Sequence, residues 1–139
     1  MIRTGLLAAV VSLAACGGAP DPEAEFADAC SAIVSDEPIV ANIAAGAGAT
    51  IEEYCDCYGV MQAARPEAER EQNLAVLRVV AARRAADGGD TQAAVEAIEA
   101  EIRSDPASHP FTEDDLTGAG DTFEDVVDGL VTGGVCNPG

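Results

Sequence analysis

Apolar residues recur along most of this chain at the three- and four-residue spacing of an α-helix. Phe26, Ala29, Cys30 and Ile33 predict a first helix from about Glu23 to Val34, which Pro38 then breaks. Ile39 to Ala47 is apolar and rich in Ala and Gly, and reads as a short helix packed closely against a neighbour. From about Ile51 to Ala64 runs the helix around which the rest is organised. Thr50 caps its start and Glu53 stands three residues later, the spacing of a capping box. Its expected wet stripe is Glu52, Asp56, Gly59 and Ala63. Ile51, Tyr54, Cys55, Tyr58, Val60 and Met61 cover most of the remainder, as in a helix gripped from several sides.

Pro66 opens a fourth helix, and Glu67, Glu69 and Glu71 favour its N-terminal end. Leu74, Leu77, Val80, Ala81 and Ala85 give it a buried side, and Gly88-Gly89 ends it behind Arg83 and Arg84. Arg65, Arg70, Arg78, Arg83 and Arg84 fall on or beside this helix. They predict a cationic element around which acidic helices pack, with a partner-binding basic stripe as the alternative. Asp90 or Thr91 caps a helix from about Gln92 to Ser104, with Ala94, Val95, Ile98 and Ile102 inward. Residues 74–106 resemble one tetratricopeptide hairpin in Gly89, Ala94, Ile98, Ile102 and Pro106. Arg78, Ala82 and Ala85 stand where that family has large aromatic and glycine residues, and there is no second copy, so the expectation is an αα-hairpin. Thr112 with Asp115 restarts a helix carrying Leu116, Phe123, Val126, Val127 and Leu130. Gly118 and Gly120 are expected to break it, with Asp121 and Glu124 recapping. The fold class read from this pattern is all-α: one small bundle of five or six helices over residues 23–136, with 137–139 a frayed end.

Composition supports helices, since aromatics are only 4% of the chain. It also bounds the partners. Acidic residues number 25 against 7 basic ones, all arginine, for a net charge of −18. Such a body is repelled by nucleic acid and by anionic lipid head groups, so nucleic-acid binding is excluded. The acid serves solubility, or attracts basic partners, cationic peptides or divalent ions.

The N-terminus has the plan of a secretory signal peptide, with one positive charge at Arg3 and an apolar run from Gly5 to Ala15 too short to span a bilayer. Its end, Leu13-Ala14-Ala15-Cys16, resembles the lipobox of bacterial lipoproteins. That resemblance covers residues 1–16 and implies diacylglycerol on the Cys16 thiol, cleavage before Cys16 and acylation of the new amino group. Several acyl chains hold a protein on a membrane far more firmly than one. Gly17, where family members retained at the inner membrane have Asp, leans towards the outer membrane. Residues 1–15 are then removed, 16–22 form a flexible tether, and the domain faces the periplasm.

Four cysteines remain: Cys30, Cys55, Cys57 and Cys136. An even number in an exported domain implies two disulfides. Successive helical residues lie about 100° apart, so Cys55 and Cys57 diverge to either side of Asp56 and are badly placed to bond each other. Each therefore reaches a separate partner. Of the two pairings left open, the expected one is Cys30–Cys57 with Cys55–Cys136. The alternative is a thiolate site on Cys55 and Cys57 for copper(I) or zinc, helped by Asp56, Met61 or His109, or a thiol-redox pair. His109 itself reads as an exposed loop residue, Tyr54 and Tyr58 as core packing, and the acidic run Glu113–Asp128 as a solvated face that fails the EF-hand spacing. No catalytic residue, cofactor or resident metal is nominated. The expectation is a non-enzymatic module that binds another envelope protein, as interaction, immunity or chaperone-like modules do.

Overall fold

In the computed structural model the described residues are 17–133 and Cys136, so the expected signal peptide, the expected lipid site Cys16 and the expected fraying of 137–139 lie outside them. Among the described residues there are six helices and no strand: α1 (Pro22–Val34), α2 (Pro38–Gly46), α3 (Ile51–Ala63), α4 (Glu67–Asp87), α5 (Thr91–Ser104) and α6 (Glu113–Gly133). No helix among them is long and apolar enough to cross a membrane. The all-α architecture with two disulfides stands as expected.

Local chemistry accounts for most of the boundaries. Asp21 caps α1 by accepting the Glu23 N–H at 3.1 Å, and Pro22 sits at the first helical position. The tether therefore ends one residue sooner than expected, and Ala19 and Pro20 lie in a cleft beside the start of α4. At α3 the reciprocal box is closed: Thr50 Oγ1 accepts from the Glu53 N–H at 3.1 Å and Glu53 Oε2 accepts from the Thr50 N–H at 2.8 Å. Gly88, at φ 62°, ends α4 in the left-handed conformation that glycine adopts at no steric cost.

The predicted break at Gly118 and Gly120 is absent, and α6 runs through both glycines. Leu116, Ala119, Thr122, Val126 and Leu130 are buried at helical spacing on both sides of them. Burying that stripe outweighs the roughly 1 kcal/mol that each helical glycine costs relative to alanine. Thr112 and Asp115 start the helix as expected. Asp115 Oδ2 accepts from the Thr112 N–H at 2.7 Å, and Thr112 Oγ1 accepts from the Asp115 N–H at 3.3 Å. These Thr112 bonds hold the Asp115 carboxyl below its ordinary range.

α3 is central: α1 lies along it most extensively, and α2 and α6 also contact it, while α4 packs against α1, α5 and α6. The expected wet stripe of α3 is wrong at Gly59, which is buried. A Cβ there would lie 3.2 Å from the Glu23 carbonyl carbon, 3.4 Å from Ala27 N and closer still to the Glu23 carbonyl oxygen. The two helices cross backbone to backbone at this glycine, and only a residue without a side chain allows it.

That crossing also decides the disulfides. Cys55 lies four residues before Gly59 on the same face of α3, so it too meets α1, and it bonds Cys30 with Cα atoms 5.5 Å apart. Cys57 points away from α1 and bonds Cys136, with a Cα separation of 5.1 Å. The expected pairing of Cys30 with Cys57 and Cys55 with Cys136 is thus corrected. The inference that neighbours on α3 must reach separate partners holds.

The arginines beside α4 serve internal contacts. Arg78 reaches Glu25 on α1 at 3.3 Å, Arg83 pairs with Glu101 on α5, and Arg84 lies 3.5 Å from Glu37 while donating to the Ala32 carbonyl at 3.2 Å. Arg65 donates to Thr122 Oγ1 at 3.0 Å, and Arg70 to the carbonyls of Ala63 and Arg65. Ala85, expected on the buried side, is exposed, and Val76 and Asn73 take that role.

Candidate functional site

The aromatic residues of α3 build the floor of the feature most suited to function. Tyr58 is fully buried and stacks on Phe123 of α6 with ring centroids 4.2 Å apart, and Phe26 of α1 tilts against it at 6.4 Å. Its hydroxyl donates to the Ala119 carbonyl at 3.2 Å and accepts from Gln62 Nε2 at 2.9 Å. Gln62, fully buried, in turn accepts from Asn73 Nδ2 at 2.9 Å, so a satisfied polar chain links α6, α3 and α4. Tyr54 donates to the Phe123 carbonyl at 3.0 Å. Burial pushes the Tyr54 phenol up to about 12 and that of Tyr58 further up. Both rings are core elements, as the i, i+4 spacing implied.

One edge of this stack opens to the surface. Tyr54, Phe123 and Ile33 floor a groove with a cavity of about 370 Å³. Ile39 and Val40 of α2 form one wall, and the loop and first residues of α5, Asp90 to Gln92, form the other. α2 has Ala44 as its one buried residue, while Ile39 is 72% exposed and Ile43 37% exposed. Four residues apart, these two isoleucines extend the apolar surface along α2 beyond the cavity itself.

The rim is acidic. Glu37 is held by Arg84 and accepts from the Thr91 N–H at 2.9 Å, and Asp90 caps α5 by accepting from the Ala93 N–H at 2.7 Å. Asp36, next to Glu37, is exposed. Neither Asp36 nor Asp90 has an arginine partner among the described residues. A second recess between α4 and α6 has a cavity of about 420 Å³, and several of its polar side chains are held by bonds within the domain. There Gln72 bridges the Pro110 carbonyl and Asp115, and Arg65 lies 3.6 Å from Glu69.

The residues of the thiolate alternative do not converge on a site. Both sulfurs on α3 are bonded, so neither is a thiolate while the disulfides stand. Asp56 is exposed and Met61 is half-buried. His109 differs from its expected exposure: its side chain is only 13% exposed, because the loop after α5 folds back. Its Nε2 lies 2.8 Å from Glu101 Oε2 and its ring stacks on Phe111, which is buried in the core. That bond to His109, with Arg83 beside it, lowers the Glu101 carboxyl below its ordinary value. The acidic residues of α6 are an exposed face, apart from Glu113 and Asp115, which are half-buried at its start.

The chain matches no protein-family model, no curated protein and no solved structure.

Proposed function

We propose that this chain is a lipid-anchored, periplasm-facing envelope protein whose helical head docks another envelope protein. The observation that carries the reading is the open apolar groove between α2 and the Tyr54–Phe123 floor, continued by the Ile39–Ile43 stripe. An exposed apolar surface on so acidic a domain is costly to leave in water, and such surfaces mark places where another molecule binds. The titratable groups at the groove are occupied structurally: Tyr54 and Glu37 in hydrogen bonds, Asp90 in a cap. That supports binding over catalysis.

The position of the groove fits an anchored protein. The tether residues Ala19 and Pro20 lie beside the N-terminal ends of α1 and α4, whereas Ile33 and Val34, at the other end of α1, line the groove. The 13 residues of α1 separate the two by about 20 Å. A lipid on Cys16 then holds one end of the head at the membrane and presents the groove from the other.

The test is site-specific photo-crosslinking in intact envelopes, with the probe at position 39 or at exposed position 82 on α4. A discrete adduct from position 39, mapped to one envelope polypeptide and absent from position 82, is the expected result. Equal adducts from both positions, or none from 39, would overturn the docking role. Intact mass of the same material reads the anchor, and an unacylated Cys16 would remove that part of the proposal.

A further inference from the structure

We infer that the groove recognises a cationic amphipathic helix, one with apolar side chains at i and i+4 that enter the cavity and Lys or Arg on its flanks. The inference rests on the docking role proposed above and deepens it. The cavity is lined by Ile33, Tyr54, Phe123 and Ile39, and Ile39 with Ile43 beyond the cavity has the one-turn spacing that another helix matches. A small molecule confined to the cavity would leave Ile43 in water.

Charge selects among helices. Glu37 and Asp90 line the groove, exposed Asp36 precedes Glu37 in sequence, and the nearby cation among the described residues, Arg84, is already held by Glu37 and the Ala32 carbonyl. Basic flanks on a partner would meet Asp36 and Asp90, neither of which has an arginine partner among the described residues, whereas acidic flanks would be repelled. The same argument disfavours two other occupants. A second copy would bring a net charge of −18 against a net charge of −18. An anionic lipid surface would be repelled likewise, and the groove stands at the end of α1 remote from the tether.

The experiment uses the full chain in nanodiscs of zwitterionic lipid, with empty discs as blank. The probe is a fluorescent helical peptide carrying a Leu pair at i and i+4 and flanking Lys; its counterpart replaces every Lys by Glu. Anisotropy should show saturable binding of the Lys peptide that weakens steeply with salt, and at least tenfold weaker binding of the Glu peptide. Ile39→Asp, at a residue too exposed to affect folding, should cost at least tenfold. Asp36→Asn with Asp90→Asn, which keeps a capping side chain at the start of α5, should weaken binding several-fold and flatten the salt dependence. Equal binding of both peptides, no binding, or binding indifferent to Ile39→Asp would each overturn the inference. So would a concentration-dependent dimer, or flotation with anionic vesicles, that Ile39→Asp abolishes, since these assign the groove to a second copy or to lipid. A position-39 crosslink to a partner segment lacking basic residues would sink the cationic specificity while leaving the docking role intact.

Discussion

Replacing Gly59 by alanine should reverse the usual sign of that substitution in a helix. In a helix interior, Gly→Ala normally stabilises by up to about 1 kcal/mol, because alanine restricts the unfolded chain and suits the helix. At Gly59 the new methyl group meets the carbonyl group of Glu23 and the backbone nitrogen of Ala27. These are backbone atoms of a helical turn and cannot rotate aside, so α1 as a whole has to move. It is pinned by the Cys30–Cys55 bridge seven residues beyond Glu23, roughly 10 Å along its axis. The movement available is therefore a splaying of its first turns, which loosens fully buried Phe26 from Tyr58. Overpacking of this kind costs about 1–3 kcal/mol, and more if Phe26 is wetted. Gly120 provides the control: it lies in α6, and a Cβ there meets nothing within 4 Å. Urea unfolding followed by circular dichroism should show Gly120→Ala more stable than the parent and Gly59→Ala less stable, with about 2–4 kcal/mol between them. Equal stabilisation by both substitutions would refute the close crossing, and with it the reason given for the disulfide pairing.

Two further expectations concern the same core. The chain has two tyrosines and no tryptophan, so the absorbance of tyrosinate follows Tyr54 and Tyr58 alone. Because the folded phenols titrate above the unfolded ones, their contribution is complete below about pH 10 and is lost as pH rises towards 12, worth about 3 kcal/mol for Tyr54. Tyrosinate should therefore appear together with loss of helicity; smooth ionisation near pH 10 with helicity intact would contradict the buried stack. The disulfides close consecutive, non-overlapping loops of sequence separation 25 and 79, for which loop entropy gives about 3.5 and about 4.5 kcal/mol. Cys30 and Cys55 are both buried whereas Cys136 is half-exposed, so limited reduction and alkylation should label Cys57 and Cys136 first. Cleavage before Asp56 separates Cys55 from Cys57, and mass mapping then reads the pairing directly; a Cys30–Cys57 peptide, or earlier labelling of Cys30, would refute it.

Helix positions were legible because capping and periodicity are local properties. Thr50 with Glu53, Thr112 with Asp115 and the Gly88 terminus lie where the chain places them in sequence. What failed was the choice between two meanings of glycine. Gly59 read as part of a solvent stripe because it carries no apolar side chain, yet the same lack of a side chain permits close helix approach. Had Gly59 been taken as a contact point, its i−4 neighbour Cys55 would have faced the same helix, and Cys30 would have been its partner. In α6 the error ran the other way: Gly118 and Gly120 carried the local signal for a break, and a tertiary stripe through Ala119 and Thr122 overrode it.

The groove was less legible for a different reason. Pro38–Gly46 is apolar nearly all round, and a helix of that kind reads as one buried from several sides. Only the placement of the other helices leaves its Ile39 face without a neighbour, and no local pattern records a neighbour that is missing. The acidic composition was plain from the sequence, but its meaning depends on where the arginines go. Seven of the 25 carboxylates are ion-paired to arginine, and every described arginine is engaged within the domain. Near the groove that means Arg84, which is held by Glu37 and the Ala32 carbonyl and so adds no free positive charge to the rim. The open apolar groove has Asp90 on its rim and Asp36 close by in sequence, neither with an arginine partner among the described residues, and this is the basis of the cationic specificity proposed for its partner.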